Sequence, residues 1–237
     1  LRYNFYRNLL DSYTHEWKDN CGMIDIMPIT AYYYYFKPGA INWPSEKKVL
    51  RLENLNKVNN LTEGMSHDAM ADVEATVELS RRLKNHDNDL WEYLISGFDK
   101  QTDLSRQKEL PTVKLSSNIR HQIGAMLKIR FGYDRNCIAP VINLGGHVQY
   151  SNQNCWLRLD KIDFNTICDD FSKLRMSVVK RKAGQPDFIE SINNSVKLLI
   201  GSDRIEMART NLEWIKENED LFHSFADEMR NHTYSER

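Results

Sequence analysis

The sequence predicts a mixed α/β chain of the α+β kind, with helices and strands gathered in separate stretches. Three observations lead there. Helical segments dominate the first 96 residues. Short β-like apolar runs follow at 123–130, 137–143 and 154–159. A pair of helical stripes closes the chain: Ile205, Ala208, Leu212 and Ile215 recur every three or four residues, then Leu221, Phe222, Phe225 and Met229.

Taken in order, residues 3–18 are expected to be helical and Met23 to Met27 a short strand or strand end. Ile29 to Phe36 holds four consecutive tyrosines, Tyr32 to Tyr35. Aromatic rings stack on bases in single-strand channels, at about 1–3 kcal/mol per base. Successive residues of a regular element point different ways, so at most two could face one ligand, and core packing is the preferred reading. Pro38, Gly39 and Pro44 mark a loop. Helices are expected at 50–58, 67–84 and 88–96, and the polar stretch from Gly97 to Pro111 reads as a linker. The second unit opens with Val113 to Leu115, and Gly145-Gly146 fits a hairpin turn between two of its strands. Phe164 to Leu174 is expected to be helical, and Phe188 to Leu199 to contain another short β segment. Lys180-Arg181-Lys182, before Ala183-Gly184-Gln185-Pro186, reads as a mobile basic loop.

A length of 237 residues allows one large or two modest domains, and 41% apolar with 27% charged residues is an ordinary soluble composition. No apolar run is long enough to span a membrane. Cys21, Cys137, Cys155 and Cys168 show no Cys-x-x-Cys pairing, which argues against a zinc site and for thiols in a reducing cytoplasm. A net charge of −1 excludes a uniformly basic surface, yet the charge is unevenly spread. Lys173, Arg175, Lys180, Arg181 and Lys182 form one basic stretch; Lys114, Arg120, Lys128, Arg130 and Arg135 form a second. Acids gather between Asp203 and Glu228. Such runs are more often solvated faces than binding sites.

The segment Ser66-His67-Asp68-Ala69-Met70-Ala71-Asp72-Val73-Glu74-Ala75-Thr76 carries the most chemistry. Hydrolysis of a phosphodiester needs an activated water and neutralised phosphate charge, and two metal ions roughly 4 Å apart can clamp both reacting oxygens. Hard cations prefer carboxylate oxygen, which suits Asp72 as a ligand. A neutral imidazole can take or orient the proton of a metal-bound water, which suits His67. Ser66 reads as the N-cap, with Met70, Val73 and Val77 as an inward stripe. A blander reading stands beside this one, because acids such as Asp68 and Asp72 are favoured at any helix N-terminus. A third reading takes His67-Asp68 as adjacent ligands of an HD-type phosphohydrolase, although His15, His86, His121 and His147 supply no recognisable second motif.

The same segment resembles the third motif, His-x-Ala-x-x-Asp-x-x-Ala-Thr, of the DEDDh 3′→5′ exonucleases. Four further matches occur in order. Phe5-Tyr6-Arg7-Asn8, followed by Asp11, Tyr13 and Trp17, is similar to the Phe-Tyr-Arg-Asn segment of the exonuclease I branch. Ile24-Asp25-Ile26-Met27 resembles its Leu-Asp-Val-Met step. Lys37-Pro38, then Ile41-Asn42-Trp43-Pro44, resembles its Arg-Pro-Glu-Gly-Ile-Asn-Trp-Pro loop. Arg51-Leu52-Glu53-Asn54-Leu55 resembles the Arg-Leu-Glu-x-Leu helix. Beyond about residue 95 the likeness is one of pattern and order.

The resemblance implies the C-terminal part of a ribonuclease H-like exonuclease domain over 1–96, a linker over 97–112, and a Src-homology-3-like β-barrel with added helices over 113–237. It implies a bacterial exodeoxyribonuclease acting on single-stranded DNA with two Mg²⁺ ions, or Mn²⁺ in their place. Asp72 would hold metal and His67 act as general base. Tyr6, Arg7, Lys37, Lys128, Arg130, Lys180, Arg181 and Lys182 become candidate DNA contacts, and single-strand-binding protein a candidate partner. The family's Asp-x-Glu strand and a second Asp are not found, so the chain reads as the middle of a longer enzyme and is expected to be inactive alone. The alternative is a non-catalytic module that grips single-stranded DNA or a protein.

Overall fold

A computed structural model describes residues 7–8, 22–45, 50–63, 68–116, 119–167, 171–185 and 187–232. The expected helix over 3–18, Tyr6, Ser66 and His67 therefore lie outside the described residues, apart from Arg7 and Asn8.

Helix α1 (Ile26–Phe36) begins where Asp25 caps it, the carboxylate accepting the Met27 N–H at 3.0 Å. Pro28 is tolerated there because a first-turn N–H has no intrahelical partner. The expected strand end at Met23–Met27 is thus replaced by a helix start. The tyrosine run lies on α1 and serves the core. Tyr33 is fully buried, its hydroxyl donating to the Asp87 carbonyl at 2.8 Å, and Tyr32, Tyr34 and Tyr35 pack against the same cluster.

Helices α2 (Leu52–Asn59), α3 (Ala69–His86) and α4 (Asn88–Ser96) share one core with α1, and α3 lies at its centre, against α1, α2 and α4. The inward face of α3 differs from expectation. Met70, Val73 and Val77 are 62%, 56% and 43% exposed, whereas Ala71, Ala75, Leu79 and Leu83 are buried. Both sets fit a 3.6-residue period, and the alanine-bearing stripe wins because small side chains let helices approach closely. The presumed linker holds a further helix, α5 (Lys100–Glu109), capped by Asp99. It lacks an apolar stripe, and its buried residues are the polar Asp103 and Gln107.

The sheet is an antiparallel meander of β1 (Thr112–Lys114), β2 (Arg120–Leu127), β3 (Ile138–Gly146) and β4 (Gln153–Arg158), then β5 (Val178–Lys182). Between β4 and β5 comes the four-residue helix α6 (Ser172–Arg175). Strand β6 (Phe188–Glu190) returns to pair with β2. β5 and β6 lie on opposite edges, about 19 Å apart in a flat sheet. A tight turn nevertheless joins them, Gln185 N–H bonding the Lys182 carbonyl, and Arg181 Nε reaches the Asp187 carbonyl at 2.6 Å. Those links require the sheet to roll into a partial barrel. Gly124 on β2 lets β6 approach: a Cβ there would meet Ile189 Cγ2 at 2.8 Å and the Glu190 carbonyl at 2.9 Å.

Strand alternation sorts the barrel's two faces. Met126, Val141 and Trp156 point inward to a small core with Val179 and Ile189. Ala125, Leu127, Ile138 and Phe188 join the core of the N-terminal helices. Ile142, Leu157 and Cys155 face a third core, built with α8 (Ser202–Glu217) and α9 (Glu219–Asn231), which follow α7 (Asn194–Ile200).

The three expected strands are present, as are the two C-terminal helices, with Leu221 at the exposed rim and Phe222, Phe225 and Met229 inside. Gly145-Gly146 end β3 at a bulge instead of forming the turn, which lies downstream over 147–152. Between Phe164 and Leu174 there is a 3₁₀ turn at Phe164–Thr166 and then α6. The basic triplet forms β5 and is no loop.

Candidate nucleic-acid interface

Three elements enclose a cleft of about 540 Å³. The start of α1 contributes Asp25, Met27 and Pro28; the end of β2 contributes Leu127, Lys128, Ile129 and Arg130. Lys180, Gln185 and Asp187 close it from the β5–β6 side. The chain reverses after β2 through a 3₁₀ turn at Ile129–Phe131 and Gly132, whose φ of 94° favours glycine. The Lys128 N–H bonds the Cys137 carbonyl at 2.7 Å, fixing the strand end that displays Lys128 and Arg130.

The cleft gathers three of the candidate DNA contacts, Lys128, Arg130 and Lys180, from positions up to 52 residues apart. Lys128 is ion-paired with Asp187 and held in the wall, while Arg130 is exposed. Lys180 is half-buried, with Nζ 3.2 Å from the His232 carbonyl. Asp25 spends one carboxylate oxygen on the α1 cap. Asp25, Gln185 and Asp187 were absent from the expected set. Only Asp25 left a signal, as an acid directly before an apolar helical run.

The other expected contacts fall elsewhere. Lys37 follows α1, and its ammonium pairs with Asp87 at 2.8 Å; that bond, with the Leu90 N–H donated to the same carboxylate, holds Asp87 below the usual carboxylate range. Lys37 thereby ties α1 to α4. Arg7 and Lys182 are exposed. Arg181 is corrected outright: it is 2% exposed and makes a bidentate pair with Asp103 at 2.6 and 2.8 Å. A guanidinium so committed inside the barrel is not presented to a strand's phosphates.

Asp72 stands exposed in the first turn of α3, its N–H bonded to the Asp68 carbonyl at 2.9 Å, where the helix dipole favours an anion. Asp68 takes the N-cap position. Glu74 accepts from the Thr62 hydroxyl at 3.1 Å. Among the described residues, no three His, Cys, Asp or Glu side chains gather as a metal-binding group. Asp72 as placed does not by itself fit a two-ion centre, and no catalytic step through metal follows from these residues alone.

The fold that carries this cleft is shared with a nuclease. The chain matches the crystal structure of the zinc-bound form of the E. coli ExoI–ssDNA complex at a TM-score of 0.77 and 22% identity, covering 100% of this chain and 53% of that one. In sequence, it is 32% identical over 144 residues to exodeoxyribonuclease I of Buchnera aphidicola subsp. Schizaphis graminum, which is 58% of this chain and 28% of that protein. To exodeoxyribonuclease I of E. coli K12 it is 32% identical over 124 residues, 51% of this chain and 26% of that protein. No protein-family model matches. The chain thus spans about half the length of the solved structure, and its matched stretches about a quarter of each curated relative. The resemblance to exonuclease I and the α+β fold class are both borne out.

Proposed function

We propose that this chain works in 3′→5′ hydrolysis of single-stranded DNA, as part of an exonuclease I-type phosphodiesterase using a divalent cation. The observation that carries the reading is the join between the sequence relatives and the cleft. The relatives are named exodeoxyribonuclease I, and the cleft sets Lys128, Arg130 and Lys180 around one groove. Its cations would track phosphates, while Asp72 would hold Mg²⁺ or Mn²⁺ together with further carboxylates. His67 would move the proton of the attacking water. The units 1–96 and 113–237, a cytoplasmic setting and docking of single-strand-binding protein belong to the same proposal. Among the described residues, no helix is long and apolar enough to cross a membrane.

The test is a 5′-labelled single-stranded oligonucleotide incubated with Mg²⁺ or Mn²⁺ and an exonuclease I-type enzyme that carries this chain together with the carboxylates of an Asp-x-Glu strand. Cation-dependent shortening from the 3′ end, abolished by Asp72→Ala and by His67→Ala, is the expected result. Wild-type rates in either variant would overturn the role of that residue. A chain that retains the oligonucleotide without shortening it would turn the reading to a binding module, a role the cleft also suits.

A further inference from the structure

A second pocket, of about 300 Å³, lies where β2 and the end of β3 meet α9 and shares no lining residue with the cleft. The bulge between Asn143 and Gly145 opens it. Gly145 has φ +108°, and a Cβ there would sit 3.2 Å from the Arg230 side chain, so glycine leaves the guanidinium its passage. Arg120 and His121 line the pocket from β2, Asn143 from β3, and His223, Asp227 and Arg230 from α9. The charged groups are two arginines and one aspartate; Arg230 pairs with Asp227 at 3.3 Å and donates its Nε–H to the Gly146 carbonyl at 3.1 Å, so Arg120 carries the formal surplus of one positive charge before either histidine is counted.

His121 makes this more than a basic patch. It is 6% exposed, and its Nδ1 lies 2.7 Å from the Asn143 carbonyl. A carbonyl only accepts, so Nδ1 carries a proton and Nε2 becomes the titrating atom. Nε2 is buried and has no hydrogen-bond partner within the protein. The ring packs against Phe222 and His223, at centroid distances of 5.1 and 5.6 Å. We propose that this pocket binds a phosphate group, with Arg120 and Arg230 supplying charge and His121 Nε2 taking up a proton to donate to an anion oxygen.

The proton linkage has a definite sign. Burial holds His121 below its ordinary pKa of 6.5, and the charges of His223 and Arg230 push the same way against the bond to Asn143. His121 is therefore mostly neutral near pH 7, and an anion in the pocket favours the protonated ring. Affinity rises as pH falls.

Sulfate is the first probe, because it stays a dianion across this range while phosphate itself titrates. Histidine-selective NMR of the full chain reads the site directly, with His121→Gln and His223→Gln assigning the resonances. Sulfate is expected to shift the imidazole signals of both residues and to bind several-fold tighter at about pH 5.5 than at about pH 8, with a slope of at most about tenfold per pH unit, the limit for one linked proton. Arg120→Ala, at an exposed position, should weaken binding several-fold yet keep its pH dependence, and His121→Gln should remove that dependence. Inorganic phosphate compared with thymidine 5′-phosphate then separates a free-anion site from a nucleotide site. His121 signals that do not move with any of these anions, or affinity equal at both pH values, would overturn the proposal.

Discussion

Replacing Asp103 by asparagine should be among the most damaging single changes in the barrel. Arg181 and Asp103 are 2% and 9% exposed at their side chains. The carboxylate accepts both guanidinium nitrogens, the Gly184 N–H at 2.8 Å and the Gln107 amide at 3.1 Å. Asparagine would turn an NH₂ group towards some of these donors and leave the guanidinium charge buried and unpaired. Breaking such a pair costs about 3–5 kcal/mol. Each kcal/mol shifts Tm by roughly 2–4 °C in a chain of this size, so a fall of about 6–20 °C is expected. The double variant Asp103→Leu with Arg181→Met should recover much of the loss, since no charge is then stranded. Recovery stays incomplete because the Gly184 N–H and the Asp187 and Gln185 carbonyls lose partners, at about 1 kcal/mol each. Urea unfolding of the three proteins, the wild type included, measures this. Asp103→Asn within about 1 kcal/mol of wild type would refute the buried-pair account.

Two further outcomes follow from the packing and the charges. Gly124→Ala should destabilise by about 1–3 kcal/mol in urea unfolding, because its Cβ would collide with Ile189 and the Glu190 carbonyl; an unchanged midpoint would mean that β6 yields freely. Glu190 is held above the usual carboxylate range by burial, against the bonds from Tyr93 and Tyr32. Its folded form therefore keeps a proton that the unfolded chain has released, and its contribution to stability is lost as pH rises from about 4.5 through the folded pKa. Glu190→Gln should flatten that decline and raise the neutral-pH midpoint, which pH-dependent thermal melts would record; an unaltered slope would contradict the assignment.

Much of this architecture was legible because apolar patterning reports burial. β2, β3 and β4 were found as apolar runs, and α8 and α9 from their stripes. α3 exposed the weakness of the same argument: valine and methionine outweigh alanine in hydropathy, yet close helix packing chose Ala71 and Ala75. α5 was hidden because its buried side chains are polar and are satisfied by partners distant in sequence, Arg181 for Asp103 and Asn154 for Gln107. The Lys180–Lys182 triplet read as a loop because strand pairing with Gln153 to Cys155 leaves no local signature in three consecutive cations. The candidate cleft was half visible: its three cations were named individually, but their meeting depends on the rolled sheet.

The most direct measurement is the salt dependence of single-stranded oligonucleotide binding by the wild type and by a Lys128→Ala, Arg130→Ala, Lys180→Ala variant. Single strands lose affinity with a log–log slope of about −0.7 per phosphate neutralised. Removing three cleft cations should therefore make the slope shallower by up to about 2, the full value requiring Lys128 to exchange Asp187 for a phosphate, and weaken binding at low salt. Equal slopes for the two proteins would place the strand elsewhere and contradict the account.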